Sequence, residues 1–183
     1  MHSLDNPFWA YSLATYAKDS AAAACLDLQD GKELDVNLLL LCCWLGSRSV
    51  KLTRGDVRRA IKLADEWAGP VIAPLRAVRR HLKPLSADPD LAAFRKQVAA
   101  LELSAEQFQQ ARLHGAFCEL AESGGAPVRA ATANLRLYLS LTHPEAGEEI
   151  QDSLLKLVRA AFPDASEADI VSALAAPASN QTR

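Results

Sequence analysis

Apolar residues recur at intervals of three or four positions along most of this chain, which is the spacing of one face of an α-helix. The first helix is predicted to start at Asn6 and Pro7, which suit the N-cap and the first helical position. Behind them, Trp9, Leu13 and Tyr16 form a stripe at helical spacing. We expect this stripe to lie against the core.

The most strongly apolar segment follows Asp35, which can cap a helix whose residues up to Leu45 are apolar on nearly every side. A helix that is apolar all round is buried all round. The pattern therefore predicts a buried central helix at about residues 35–45, ended by Gly46, with the other helices packed around it. Asn37 is the one polar residue near its start, and we expect its side chain to find a polar partner.

A longer apolar pattern follows Asp88, which can cap the helix that carries it. Its members are Leu91, Phe94, Val98, Leu101 and Phe108. They predict a long packing seam or part of a helical hairpin. Ser104 and Gln107 resemble a capping box, so residues 89–122 fit either one helix or two helices broken near Leu103.

The clearest interior break is the segment 122–127, which contains two glycines and a proline. After it, Leu135, Leu137, Leu139 and Leu141 alternate as in a strand, but the Ala-rich flanks and the lack of a partner strand favour a helix. Further helical patterns continue to about residue 174. The chain is thus predicted to be all-α, a single-domain irregular helical bundle over residues 4–174 with a disordered C-terminal tail at 175–183.

Composition fits this interpretation, with 50% hydrophobic and 23% charged residues in 183. Cys42 and Cys43 are neighbours and no CxxC pair exists, which favours reduced thiols in a cytoplasmic protein over disulfides or a zinc site. The segment MHSLDNPFW does not resemble a signal peptide. The apolar run from Leu38 to Leu45 is far shorter than the roughly 20 residues that span a bilayer, so no membrane association is predicted.

Positive charge is concentrated in one part of the chain. Residues 48–83 contain ten Lys and Arg against three acidic residues, a formal charge of +7, whereas the whole chain has a net charge of −2. Helical spacing places seven of these ten cations on the polar faces of two helices. They are Arg54, Arg58 and Lys62 on the first helix and Arg76, Arg79, Arg80 and Lys83 on the second.

This basic face is open to two interpretations. It can bind an acidic partner, either an acidic protein surface or nucleic acid, or it can be a solvated face neutralised by the protein's own acidic helices. The acidic pI of about 6.1 and the lack of aromatic residues among the cations argue against nucleic acid.

Catalytic patterns are weak by comparison. His114 and Cys118 stand four residues apart, but a partly buried His beside a core Cys explains them. Glu102 and Glu106 share the same spacing, and we interpret them as a solvated carboxylate face because the Glu-x-x-His pairs of metal-binding bundles are absent. No Gly-rich phosphate loop, GxSxG or HExxH motif occurs. We therefore predict no metal and no cofactor, and the pattern favours a protein that is not an enzyme.

Several short motifs carry a resemblance to a known family. They are NPFW at 6–9, CLDLQ at 25–29, DVNLLL at 35–40, WLG at 44–46 and PLRAVRRHLK at 74–83. Together they resemble a family of small proteobacterial all-helical proteins with a domain of unknown function, over roughly residues 4–141. The resemblance implies a bacterial cytoplasmic setting but no activity or substrate. It draws attention to a possible pocket near Trp9, Asp35, Asn37 and Trp44.

Three functional hypotheses follow from the sequence. The first is a non-enzymatic interaction or regulatory protein that presents the basic face to an acidic partner. The alternative is a small-molecule-binding protein or enzyme with an interhelical pocket near Trp9, Asp35, Asn37 and Trp44. Compatible with either is a homo-oligomer joined through the seam at 91–108.

Overall fold

The helices begin at the capping residues that the sequence supplies. The Asn6 side chain accepts the N–H of Trp9 at 3.0 Å, with Pro7 at the first helical position. Asp35 accepts the N–H of Leu38 at 3.2 Å and that of the residue before it. These predicted caps are confirmed.

The computed structural model describes residues 3–145 and 150–175, and over these residues it is all-helical. The α-helices are α1 (Pro7–Tyr16), α2 (Asp19–Lys32), α3 (Val36–Ser47), α4 (Arg54–Trp67), α5 (Ala73–Leu82), α6 (Pro89–Phe117), α7 (Pro127–Thr142), α8 (Gln151–Ala161) and α9 (Glu167–Ala175). A π-helical turn (Ala68–Ile72) joins α4 to α5, and a 3-10 turn (Lys83–Leu85) follows α5. The predicted tail, apart from Ala175 at the end of α9, lies outside the described residues.

The central helix is confirmed as α3, in which every residue from Asn37 to Gly46 is buried. Gly46 lies inside the helix rather than ending it. A Cβ built on Gly46 would stand 2.3 Å from the Cα of Ala131 in α7, so only glycine permits this approach. The α3–α7 contact is the most extensive helix pairing among the described elements.

The segment with strand-like alternation is helical, as favoured, and forms α7. Its buried Asn134 holds the chain that follows α3. The Asn134 side chain accepts the N–H of Leu52 at 2.8 Å and donates to the carbonyls of Val50 at 2.9 Å and Cys42 at 3.4 Å. Asn134 therefore satisfies backbone groups that burial would otherwise leave unpaired.

The long pattern after Asp88 is a single helix of 29 residues, α6. The Ser104 hydroxyl donates to the carbonyl of Ala100 at 2.9 Å, one turn earlier in the same helix. A serine that bonds back into its own helix does not start a new one. The alternative of two helices is thus excluded.

The buried faces of α1 and α6 differ from the predicted ones. In α1 the buried residues are Phe8, Ser12 and Thr15, while Leu13 is 48% exposed. In α6, Val98 of the predicted packing seam is buried, but Phe94 and Leu101 are 49% and 59% exposed, so most of the seam does not face the core of this chain. The apolar spacing gave the helical period correctly, but it did not show which stripe faces the core, because the true inner stripes include polar residues. Association of two copies through the exposed stripe stays a prediction.

No helix among the described residues is both long enough and apolar enough to cross a membrane.

Candidate functional site

Four charged side chains meet where α5 packs against α6. Arg76 donates to Glu102 and to Glu106, each at 3.0 Å, so one guanidinium bridges two carboxylates. Arg79 donates to both oxygens of Glu102, with the Nη2 contact at 3.1 Å. Glu102 therefore accepts three hydrogen bonds from two arginines.

Glu102 and Glu106 were interpreted as a solvated face, and this interpretation is wrong. Glu102 is only 5% exposed, and Glu106 is partly buried one turn further along α6. The spacing of four residues places both on one side of the helix, as the sequence indicated. That side faces α5 rather than solvent, because the arginines of α5 compensate the cost of burying the carboxylates.

The predicted basic face is divided by this arrangement. Arg76 and Arg79 turn inward to α6, and Arg80 pairs with Asp30 of α2. The other predicted partner-binding residues are exposed, and no ion pair joins them to any residue that the structure describes. These are Arg54, Arg58, Lys62 and Lys83.

A chain of buried amides connects the start of α3 to α6. The Asn37 amide nitrogen donates to Gln109, and Gln109 in turn donates to Asp35 at 3.0 Å and to the carbonyl of Ala64 at 3.1 Å. On the other side, Gln110 donates to the Asn37 carbonyl oxygen at 2.7 Å. The expected partners of Asn37 are thus two glutamines of α6.

Charges and amides together form one polar cluster between α3, α5 and α6, named here the Glu106 cluster. Its members are Asp35, Asn37, Arg76, Arg79, Glu102, Glu106, Gln109 and Gln110. A cluster of this size in a small helical protein needs nearly complete hydrogen bonding to be tolerated.

A cleft of about 430 Å³ opens beside the cluster, between α1, α3, α5 and α6, and is named here the Trp9 cleft. Its apolar wall includes Trp9, Leu13, Tyr16, Leu40 and Leu103. The Leu13 and Tyr16 side chains that were expected in the core therefore line this cleft. Its volume lies in the range of small-molecule sites.

Three residues that line the Trp9 cleft each carry a buried polar atom that has no hydrogen-bond partner among the described residues. The atoms are the Ser12 hydroxyl, the Arg95 Nε and the Gln110 Oε1. Ser12 and Gln110 are 3% and 2% exposed. A buried polar atom without a partner costs about 1–3 kcal/mol, so three such residues around one cleft are an unusual feature.

A second cleft of about 350 Å³ lies on the other side of the cluster and includes Asp65 of α4, Gly69 of the π-helical turn and Arg80 of α5. It is named here the Asp65 cleft. Gln29, Val36, Asn37 and Glu106 line both clefts. Glu106 thus stands between them and is reached from either side.

The two carboxylates of α6 have opposite electrostatic environments. Burial alone would raise the pKa of Glu102, but hydrogen bonds from Arg79 and Arg76 lower it below its usual value. Burial raises the pKa of Glu106 to about 7, opposed by Arg76 and reinforced by Glu102. Glu102 is therefore ionised near neutral pH, whereas Glu106 titrates in this pH range.

The pocket predicted from sequence is partly brought together. Trp9 lines the Trp9 cleft, Asp35 lines the Asp65 cleft and Asn37 lines both. Trp44 lies elsewhere in the core, stacked on Phe8 at a centroid distance of 5.2 Å.

His114 and Cys118 do not form a site with the clefts. The His114 ring packs against Trp44 at 5.4 Å, and Cys118 contacts Glu119. Within the described part of the chain, no group of three His, Cys, Asp or Glu side chains could hold a metal ion.

Sequence reasoning missed Ser12, Arg95, Gln109 and Gln110. A signal was present: the residues Arg95, Glu102, Glu106 and Gln110 recur at steps of seven, four and four, a polar stripe at helical spacing. It was overlooked because polar stripes ordinarily face solvent.

A family model described as Protein of unknown function (DUF2390) matches residues 7–113. This span covers more than half of the 183 residues and includes every member of the Glu106 cluster. No curated protein and no solved structure matches the chain significantly. The chain belongs to the DUF2390 family.

Proposed function

We propose that this member of the DUF2390 family binds a small molecule in the Trp9 cleft. The observation that carries the proposal is the pair Ser12 and Gln110, two residues that line the same cleft as Glu106 and whose buried polar atoms lack partners among the described residues. Apolar residues at these two positions would avoid the cost of unpaired burial. A ligand that supplies the missing hydrogen bonds gives a physical reason for keeping them.

A comparison with Asn134 strengthens the argument that the unpaired oxygen of Gln110 indicates a ligand site. Both amides are almost fully buried, and both bridge helices. Asn134 has partners for both its oxygen and its nitrogen, whereas Gln110 has one for its nitrogen only. The unpaired oxygen is thus a local property of the cleft and not of buried amides in this fold.

A fragment screen by ligand-observed NMR tests this proposal on the full chain. Gln110→Met removes the unpaired oxygen at similar volume, and Gln97→Met changes an exposed glutamine on the same helix as a control. We expect fragments that bind the wild type and Gln97→Met to bind Gln110→Met about tenfold more weakly, as the loss of about one hydrogen bond requires. Fragments that bind all three proteins equally would contradict the proposal.

A second candidate function is the binding of an acidic partner, which the charge pattern suggested. We limit this candidate to the exposed basic surface of α4. Arg54, Arg58 and Lys62 recur every fourth residue and are all exposed. An acidic protein surface fits this row better than nucleic acid, since the cations of α5 that would extend it are engaged with Glu102, Glu106 and Asp30.

A pull-down with and without nuclease tests the α4 row. Arg54→Glu combined with Arg58→Glu should remove acidic partners from the bound set, whereas Arg129→Glu, an exposed cation on α7, should leave them bound. A bound set that is the same for all three proteins would count against this candidate. Partners that are lost only on nuclease treatment would indicate that the α4 row binds nucleic acid rather than an acidic protein surface.

We also propose a bacterial cytoplasmic setting. It is supported by the four free thiols, of which Cys25, Cys42 and Cys43 are buried, and by the motif resemblance.

A further inference from the structure

Two neighbouring residues of α6 that line the Trp9 cleft, Glu106 and Gln110, each carry a hydrogen-bond acceptor without a partner in the described part of the chain. Glu106 receives Arg76 on Oε1, and its Oε2 has no hydrogen-bond partner in the described ranges 3–145 and 150–175. Gln110 lies one turn further along α6 with its free Oε1. Four residues of helix separate the two by about 6 Å along the axis, a distance that one polar head group can bridge.

The two arginines near Glu106 are already paired with carboxylates of α6. Arg79 uses Nε and Nη2 on Glu102, and Arg76 uses Nε on Glu102 and Nη2 on Glu106. Arg95, with its unpaired Nε, stands eleven residues before Glu106, about 16 Å away along the helix. An anionic head group at Glu106 would therefore meet a carboxylate without a free cation beside it.

Two aromatic rings line the same cleft as Glu106. Trp9 and Tyr16 of α1 line the cleft, and Tyr16 lies close enough to Glu106 for the carboxylate to help raise the pKa of its phenol. Ring faces of Trp and Tyr attract cations, and the apolar side chains Leu13 and Leu103 can hold a hydrocarbon or aromatic body.

We propose that the ligand of the Trp9 cleft carries a protonated amine, which Glu106 and Gln110 bind while Trp9 and Leu13 hold its apolar body. This inference rests on the proposed function of the cleft. It adds the chemical class of the ligand: an arylalkyl or alkyl amine, rather than a carboxylate or a neutral molecule.

Binding of an amine is expected to depend on pH through Glu106. Both clefts and all neighbouring helices contribute charged or titratable groups around it. These are Tyr16 of α1, Glu33 and Asp35 before α3, Asp65 of α4, Arg76, Arg79 and Arg80 of α5, and Arg95 and Glu102 of α6. An alkylammonium keeps its proton up to about pH 10, so the change between pH 6 and 8 comes from the protein. Affinity should rise across this range as Glu106 becomes an anion.

Three probes of similar size and different charge separate the effect of charge from that of size. They are 2-phenylethylamine, 2-phenylethanol and phenylacetate, measured at millimolar concentration by saturation-transfer NMR and by titration calorimetry at pH 6, 7 and 8. We expect the amine to bind and to bind more tightly at pH 8 than at pH 6. The alcohol should bind at least about tenfold more weakly, and phenylacetate should be weakest.

Glu106→Gln is the decisive variant, because it keeps the hydrogen bond from Arg76 and removes the charge. The substitution should weaken binding of the amine about tenfold at pH 8 and abolish the pH dependence of that binding. The weak binding of the alcohol should stay the same. Glu119→Gln, an exposed carboxylate near the end of α6, is the matched control and should change nothing. Thermal unfolding of each variant confirms that it is folded.

The outcomes distinguish the two proposals. Tighter binding of phenylacetate or the alcohol in the Trp9 cleft, with loss on Gln110→Met, overturns the amine and keeps the small-molecule site. Equal binding of the amine by the wild type and Glu106→Gln also overturns the proposal of an amine ligand. If none of the three probes binds, the proposal of an amine ligand is overturned. The fragment screen alone then tests whether the Trp9 cleft binds a small molecule.

Discussion

Two buried regions of this protein are built from different chemistry. Where α3 meets α7, the helices approach until the Gly46 backbone touches Ala131, and Asn134 is fully hydrogen-bonded. Where α3 meets α5 and α6, the interior holds the eight charged and amide side chains of the Glu106 cluster. In the first region the buried amide has partners for both its oxygen and its nitrogen, whereas in the second the buried amide of Gln110, a residue that lines a cleft, has no partner for its oxygen among the described residues.

This difference teaches where to look for function in a helical bundle. Apolar contact is stabilising in proportion to the area buried and needs no particular partner. A buried charge or amide is costly unless each of its bonds is made. Unpaired atoms that persist in a buried polar cluster therefore indicate a site more specifically than the size of a cavity does.

The largest effect is expected from breaking the close helix contact. Gly46→Leu places a side chain where a Cβ alone would lie 2.3 Å from the backbone of Ala131. α3 and α7 must separate, so we expect loss of the cooperative unfolding transition in circular dichroism. Gly31→Ala is the control, because a Cβ there meets nothing within 4 Å, and it should stabilise the protein by up to about 1 kcal/mol. A folded Gly46→Leu would contradict the interpretation.

The next prediction compares the two buried amides. Asn134→Leu leaves the Leu52 N–H and the Val50 and Cys42 carbonyls without their partner, so it should lower the free energy of unfolding by about 3 kcal/mol. Gln110→Met leaves only the Asn37 oxygen unpaired and removes one unpaired atom, so it should cost about 1 kcal/mol. Urea titrations measure both, and equal losses would remove the distinction between the regions.

The third prediction compares a buried ion-pair network with a surface pair. Glu102→Gln leaves Arg76 and Arg79 partly buried without their main counter-charge, and we expect a loss of about 3 kcal/mol. Glu66→Gln breaks the more exposed pair with Arg112 and should cost less than about 1 kcal/mol. Chemical unfolding of the two variants at pH 7 gives the comparison. A larger loss in Glu66→Gln would show that the cluster is not held by its charges.

The last prediction concerns the pH dependence of stability. Burial raises the pKa of Glu106 to about 7 in the folded protein, so between about pH 4.5 and 7 the folded chain keeps a proton that the unfolded chain has released. The free energy of unfolding should therefore fall as the pH rises through this range and level off above it. Glu106→Gln should make the fall shallower and raise stability at pH 8, and Asp35, whose pKa burial also raises, accounts for the remainder.

Urea titrations from pH 5 to 8 measure this slope. Glu102 works in the opposite direction, because its pKa is lowered, and its contribution is lost only as the pH falls below its ordinary value near 4.5. Its effect therefore lies below the measured range. A Glu106→Gln slope identical to that of the wild type would contradict the raised pKa.

Much of the fold was predictable because its signals are local. The caps at Asn6, Asp35 and Asp88 depend on a side chain and the next turn of backbone, and each is confirmed. The buried α3 was predictable because a helix without a polar face has no side to expose. The one break at 122–127 needed only the backbone preferences of glycine and proline.

The site was less predictable, because its residues are polar and lie far apart in the chain. Trp9, Asp35 and Asn37 were singled out, but Glu102 and Glu106 were assigned to solvent. Helical spacing shows that two residues share a face, not which way that face points.

The sequence by itself determined the helices, their caps, the identity of the central helix and the concentration of cations at 48–83. Only the tertiary structure decided that Arg76 and Arg79 face inward, that Trp9 and Tyr16 line a cleft and that Gln110 has a free oxygen. The physical reason is that capping and helical period act within one or two turns. Desolvation, ion pairing and unpaired hydrogen bonds depend on what the packed neighbours supply, and here those neighbours are 23 to 74 residues apart in the chain.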